Sequence, residues 1–133
     1  MNIFEIIKKE TAGCVNKTAV IEKEMHISYG ELLELSESLA VKLGDFGIKP
    51  HDRVALLCND CIEYIILSLA ILSAKAVVVP VSPSLSWDES EAVLKRIDVN
   101  FLIFDKSSYS IPDSVLLLSG LMNSREFLLY RRE

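Results

Sequence analysis

Glycine is scarce and scattered in this 133-residue chain. Its five glycines, Gly13, Gly30, Gly44, Gly47 and Gly120, never cluster. No glycine-rich loop is therefore present whose backbone N–H groups would cradle a phosphate. Cationic runs are missing as well. Lys and Arg number 14 against 19 Asp and Glu, a net charge of −5, and form no stripe. That balance argues against nucleic acid and anionic membrane surfaces as partners. Cysteines number three, an odd count. The opening MNIFEIIKKE has no apolar run behind a basic start, so no export signal is expected. Reduced thiols in the cytoplasm then fit better than a disulfide framework. Uninterrupted apolar length is lacking too. Lys75 and Pro80 break the oily stretch 64–81, and no transmembrane segment is expected.

What is present is an oily globular chain. Half the residues are hydrophobic and a quarter are charged, which suits one compact domain spanning 1–133. Residues 53–81 read as strand, helix, strand. The run 53–58 is aliphatic, 61–74 is long enough for a helix, and 77–81 is β-branched. The helix is apolar almost all round, so most of its circumference should be covered.

The remainder reads in order. Residues 2–10 form a short helix with Asn2 as N-cap and Ile3, Phe4, Ile6 and Ile7 as anchors. Residues 18–22 and 26–28 form a hairpin with Ala19, Ile21 and Ile27 inward; Glu22, Lys23 and Glu24 form its solvated turn. Ser28-Tyr29-Gly30-Glu31 is a capping box, with Ile27 and Leu32 as its staple. Leu32, Leu35, Leu39, Leu43 and Phe46 make the apolar stripe of the helix that follows, and Gly44 or Gly47 ends it. Ser86-Trp87-Asp88-Glu89 repeats the capping box, and its helix runs to about Asp98 with Val93, Leu94 and Ile97 inward. Residues 101–104 and 115–118 read as strands, 106–113 as a loop, and 123–130 as a final helix. The pattern predicts an α/β fold: a mostly parallel sheet with flanking helices, preceded by a helix and a β-hairpin.

Three stretches resemble one family. Ile27-Ser28-Tyr29-Gly30-Glu31-Leu32 resembles the motif L-[ST]-Y-x-E-L. Residues 47–56, with Asp52, resemble G-[VI]-x-x-G-D-x-V-A-[IL]. Residues 72–81, with Ala74 and Pro80, resemble L-K-A-G-[AG]-x-x-x-P-[LIV]. Together, over residues 18–105, they resemble the N-terminal part of the AMP-forming (adenylate-forming) ligases: acyl-CoA synthetases, peptide-synthetase adenylation domains and luciferases. The resemblance implies the N-terminal subdomain of that fold, with Ser28, Tyr29, Glu31, Leu32, Asp52, Ala74 and Pro80 as structural motif positions. His51 and Lys75 stand where the family usually has glycine; if those backbones need positive φ, both residues incur strain.

For the whole enzyme the resemblance implies ATP, Mg and CoA as cofactors. This chain carries no counterpart of the family's ATP-binding loop, and no catalytic, cofactor-binding or metal-ligating residue is assigned in it. The expectation is an inactive N-terminal piece of an acyl-CoA synthetase, partnered by the remainder of that ligase. Ser84 offers no phosphate contact, and the stretch 82–86 looks more like acyl-CoA synthetases than peptide synthetases. Alternatives are a peptide-synthetase adenylation fragment or a stand-alone interaction domain. A more remote one is a thioredoxin-like oxidoreductase using Cys58 and Cys61, spaced as C-x-x-C before a helix. Zinc ligation by Cys14, Cys58, Cys61, His26 and His51 is weaker still, with only one ligand-spaced pair. The apolar tail, with Leu121, Met122, Phe127, Leu128 and Leu129, predicts self-association through residues 111–130.

Overall fold

The computed structural model describes residues 2–107, 109–119 and 125–132. Its helices are α1 (Ile3–Glu10), α2 (Tyr29–Asp45), α3 (Ile62–Ser73) and α4 (Trp87–Ile97), with a 3-10 turn at Ala12–Cys14. Its strands are β1 (Thr18–Glu22), β2 (Met25–Ser28), β3 (Arg53–Leu57), β4 (Val77–Pro80), β5 (Phe101–Asp105), β6 (Val115–Ser119) and β7 (Glu126–Arg131). They form two compact units: Met1–Pro50 with Cys61–Ala76, and His51–Asp60 with Val77–Glu133.

The first unit packs α2 and α1 on α3 and carries the hairpin β1–β2. Asn2 caps α1 by accepting the Glu5 N–H at 2.9 Å, and its amide donates to the Leu72 carbonyl at 3.3 Å. Phe4 is buried, but Ile3 and Ile6, expected as anchors, are 55% and 45% exposed. An eight-residue helix offers one narrow stripe, and Phe4 with half-buried Ile7 fills it. Ile21, expected inward, is 59% exposed. A register shift between Thr18 and Val20 sets Val20 opposite buried Ile27 and leaves Ile21 opposite exposed His26. One residue of slip moves a strand's side chains to the other face.

On α2 the inward face is Leu32, Leu33, Ser36, Leu39 and Leu43. Leu35 turns outward, and buried Ser36 donates its hydroxyl to the Leu32 carbonyl at 2.7 Å. As predicted, α3 is covered on most sides: Ile62, Glu63, Ile66, Leu67, Leu69, Ala70 and Ile71 are buried.

The second unit is a five-stranded sheet in the order β4-β3-β5-β7-β6. β4, β3 and β5 are mutually parallel, with Val54 opposite Val78 and Phe101. β7 and β6 add antiparallel strands to the β5 side. Residues 54–57 and 101–104 are all buried, so β3 and β5 are covered on both faces, as parallel interior strands are. On one face Ala55, Leu57, Leu102 and Phe104 cluster with Leu94 of α4. At the amino ends of these strands, Arg53 N–H donates to Asn100 Oδ1 at 2.7 Å, and Arg53 Nη1 donates to the Ile97 carbonyl at 2.7 Å. Arg132 forms a two-bond ion pair with Glu91, at 2.9 and 3.0 Å.

The final helix predicted for 123–130 is corrected. Residues 123–124 lie outside the described residues, Arg125 is irregular, and 126–130 belong to β7. β7 lies between β5 and β6, burying Phe127 and Leu129 while Leu128 and Tyr130 pack on the opposite face. The tail expected to drive self-association is partly internal: Leu117, Phe127 and Leu129 are core residues. Leu121 and Met122 lie outside the described residues.

Candidate functional site

The first motif begins α2 and uses up its N-terminal donors internally. Ser28 Oγ accepts the Glu31 N–H at 3.1 Å, and Glu31 Oε1 accepts the Ser28 N–H at 3.1 Å. Tyr29 N–H donates to the Lys17 carbonyl at 3.0 Å and Gly30 N–H to the Val15 carbonyl at 2.9 Å. A Cβ on Gly30 would stand 3.1 Å from the Val15 oxygen, so the small residue lets the two backbones meet. Leu32 is buried beneath, with Ile27.

At α3 the N-cap Cys61 makes no side-chain cap. Glu22 supplies one from β1: its Oε1 accepts the Ile62 N–H at 2.8 Å. Glu22 was expected in a solvated turn, and instead a carboxylate from the hairpin occupies the positive end of α3. Local pattern reading could not find it, because 40 residues separate the partners.

The second and third motifs shape turns at strand starts. His51 and Lys75 both have positive φ, at 72° and 65°, so the usual glycines have been replaced at left-handed positions. Both residues are exposed. Lys75 N–H donates to the Leu72 carbonyl and Ala76 N–H to the Ile71 carbonyl, at 3.0 and 3.1 Å. These are the paired bonds of a Schellman motif, with Ala74 as C-cap and Lys75 at the left-handed position beyond it. α2 ends the same way at Gly47, whose φ is 103°, and α4 at Asp98, whose φ is 59°. The Asp52 carbonyl accepts the Val77 N–H at 2.8 Å, which starts the β3–β4 ladder. Pro80 pairs with Leu56 at the far end of edge strand β4.

Beyond β4, the Ser82 and Ser84 hydroxyls lie 2.8 Å apart in the turn before α4. Ser86 Oγ accepts the Glu89 N–H at 3.1 Å and Glu89 Oε1 accepts the Ser86 N–H at 3.0 Å. That Ser86 N–H, more than the hydroxyl bond, holds the exposed Glu89 carboxyl below the ordinary glutamate range. Trp87 packs on Tyr109 with ring centroids 5.6 Å apart. Trp87 at the start of α4 and Tyr109, Ser110, Ile111 and Pro112 on the loop after β5 line a cavity of about 360 Å³. In the first unit, Lys8, Ala12, Val15, Leu33, Glu34 and Glu37 line one of about 410 Å³, beside the Lys8–Glu37 ion pair at 3.0 Å.

The starts of α2, α3 and α4 are poorly suited to a phosphate. The helix ends that would receive phosphate are taken by Ser28 and by two backbone carbonyls at α2 and by the Glu22 carboxylate at α3. At α4, Asp88 and Glu89 place negative charge in the first turn. Among the described residues no three His, Cys, Asp or Glu converge as a metal site. Cys58 is buried, Cys14 and Cys61 are half-buried, and none of the three is in a disulfide. No helix among the described residues is long and apolar enough to cross a membrane.

The AMP-binding enzyme family profile matches residues 7–125. Surfactin synthase subunit 2 of Bacillus subtilis is 33% identical over 122 residues, covering 89% of this chain and 3% of that protein. The N-terminal subdomain of NpsA from Klebsiella oxytoca superimposes with a TM-score of 0.78 at 27% identity, covering 84% of this chain and 29% of that one. Coronafacic acid ligase from Pectobacterium brasiliense gives 0.75 at 32%, covering 80% of this chain and 21% of that one. The chain thus spans under a tenth of such curated relatives and under a third of these solved structures.

Proposed function

The chain belongs to the AMP-binding enzyme family, and on that premise we propose that it is a single N-terminal structural subdomain of an ATP-dependent carboxylic acid ligase. In this reading the whole enzyme lets a carboxylate oxygen attack the α-phosphorus of ATP, with pyrophosphate leaving. A thiol then displaces AMP from the acyl-AMP to give a thioester. ATP, Mg and the thiol cofactor are held by the rest of that polypeptide, which is this chain's first partner. Ser28, Tyr29, Glu31, Leu32, Asp52, Ala74 and Pro80 then serve as framework, fixing helix starts and strand registers. The observation that carries the reading is the three motifs, in family order, on the fold of NpsA and coronafacic acid ligase.

For the thiol, the stretch 82–86 favours CoA, so the first reading is an acyl-CoA synthetase. The similarity to surfactin synthase favours a second, an adenylation domain that loads a carrier-protein thiol. Both fit a reducing cytoplasm, as do three cysteines outside any disulfide.

Pyrophosphate release tests the proposal. The chain alone, with ATP and a panel of carboxylates, is expected to release none above background; release would overturn the structural role. A longer polypeptide that begins with this sequence is expected to release it and to thioesterify CoA. No release with any acid would overturn the ligase reading, and thioester only on a carrier protein would decide for the second.

A further inference from the structure

We draw no further inference here: the strongest candidate, the groove of about 410 Å³ between the turn that follows α1 and the first half of α2, lined by Val15 and Leu33 and rimmed by Lys8, Glu34 and Glu37, carries nothing, because no feature of the structure shows whether a ligand or the rest of a longer polypeptide covers it.

Discussion

Replacing Lys75 by glycine should stabilise this protein, although it removes a whole side chain. Lys75 sits at φ 65° in the left-handed region, where an L residue brings its Cβ too close to the following carbonyl at a cost of about 1–2 kcal/mol. Its side chain is exposed, so little packing is lost. Glycine also has more freedom in the unfolded chain, which offsets the gain by roughly 0.4–1 kcal/mol. The net expectation is a gain of about 0.5–1 kcal/mol, or roughly 2–4 °C in Tm for a chain of this size. Circular dichroism during thermal and urea unfolding measures it. Lys75→Ala separates the causes: alanine keeps the conformational cost, so its Tm should stay near wild type. If Lys75→Ala gains as much as Lys75→Gly, removal of charge explains the effect. If Lys75→Gly gains nothing, the strain argument is refuted. His51→Gly, at φ 72°, should gain by the same reasoning.

Ser28→Ala should cost about 1 kcal/mol through loss of the α2 cap; an unchanged urea midpoint would mean that the backbone carbonyls hold the helix end alone. Glu22→Ala should cost about 1–2 kcal/mol by leaving the Ile62 N–H without its carboxylate, and hydrogen exchange should quicken in the first turn of α3. Glu91 is held below the ordinary glutamate range, chiefly by its hydrogen bonds to Arg132. A carboxyl depressed by folding stabilises the protein above its unfolded pKa and stops doing so as pH falls through its folded one. The stability difference between wild type and Glu91→Gln should therefore be greatest near neutrality and shrink in acid; a difference constant with pH would contradict this.

Much of the fold could be read locally. Both capping boxes lie within four consecutive residues, and both appear as predicted, at Ser28 and at Ser86. The aliphatic runs of β3 and β5 are bounded by polar turns and were equally legible. β7 was not, because Phe127, Leu128, Leu129 and Tyr130 are apolar in succession. A strand covered on both faces shows no alternation and looks like a piece of helix. Ile21 was misplaced because a single bulge reverses the phase of β1. At the candidate site the motif positions could be read, as could the strain at His51 and Lys75. The Glu22 cap on α3 could not, because it exists only once the hairpin has docked.

The interleaving of the two units also has a consequence for synthesis on the ribosome. The first unit is complete only when Ala76 has emerged, because it needs α3. By then β3, with four successive buried residues from Val54 to Leu57, is already out. Both of its strand partners, β4 and β5, still lie ahead in the chain. This largely buried strand thus waits unpaired through the closure of a unit to which it does not belong. Unpaired strand edges are where nascent chains stick to one another, and for this chain that hazard is greatest between the emergence of Leu57 and that of Asp105.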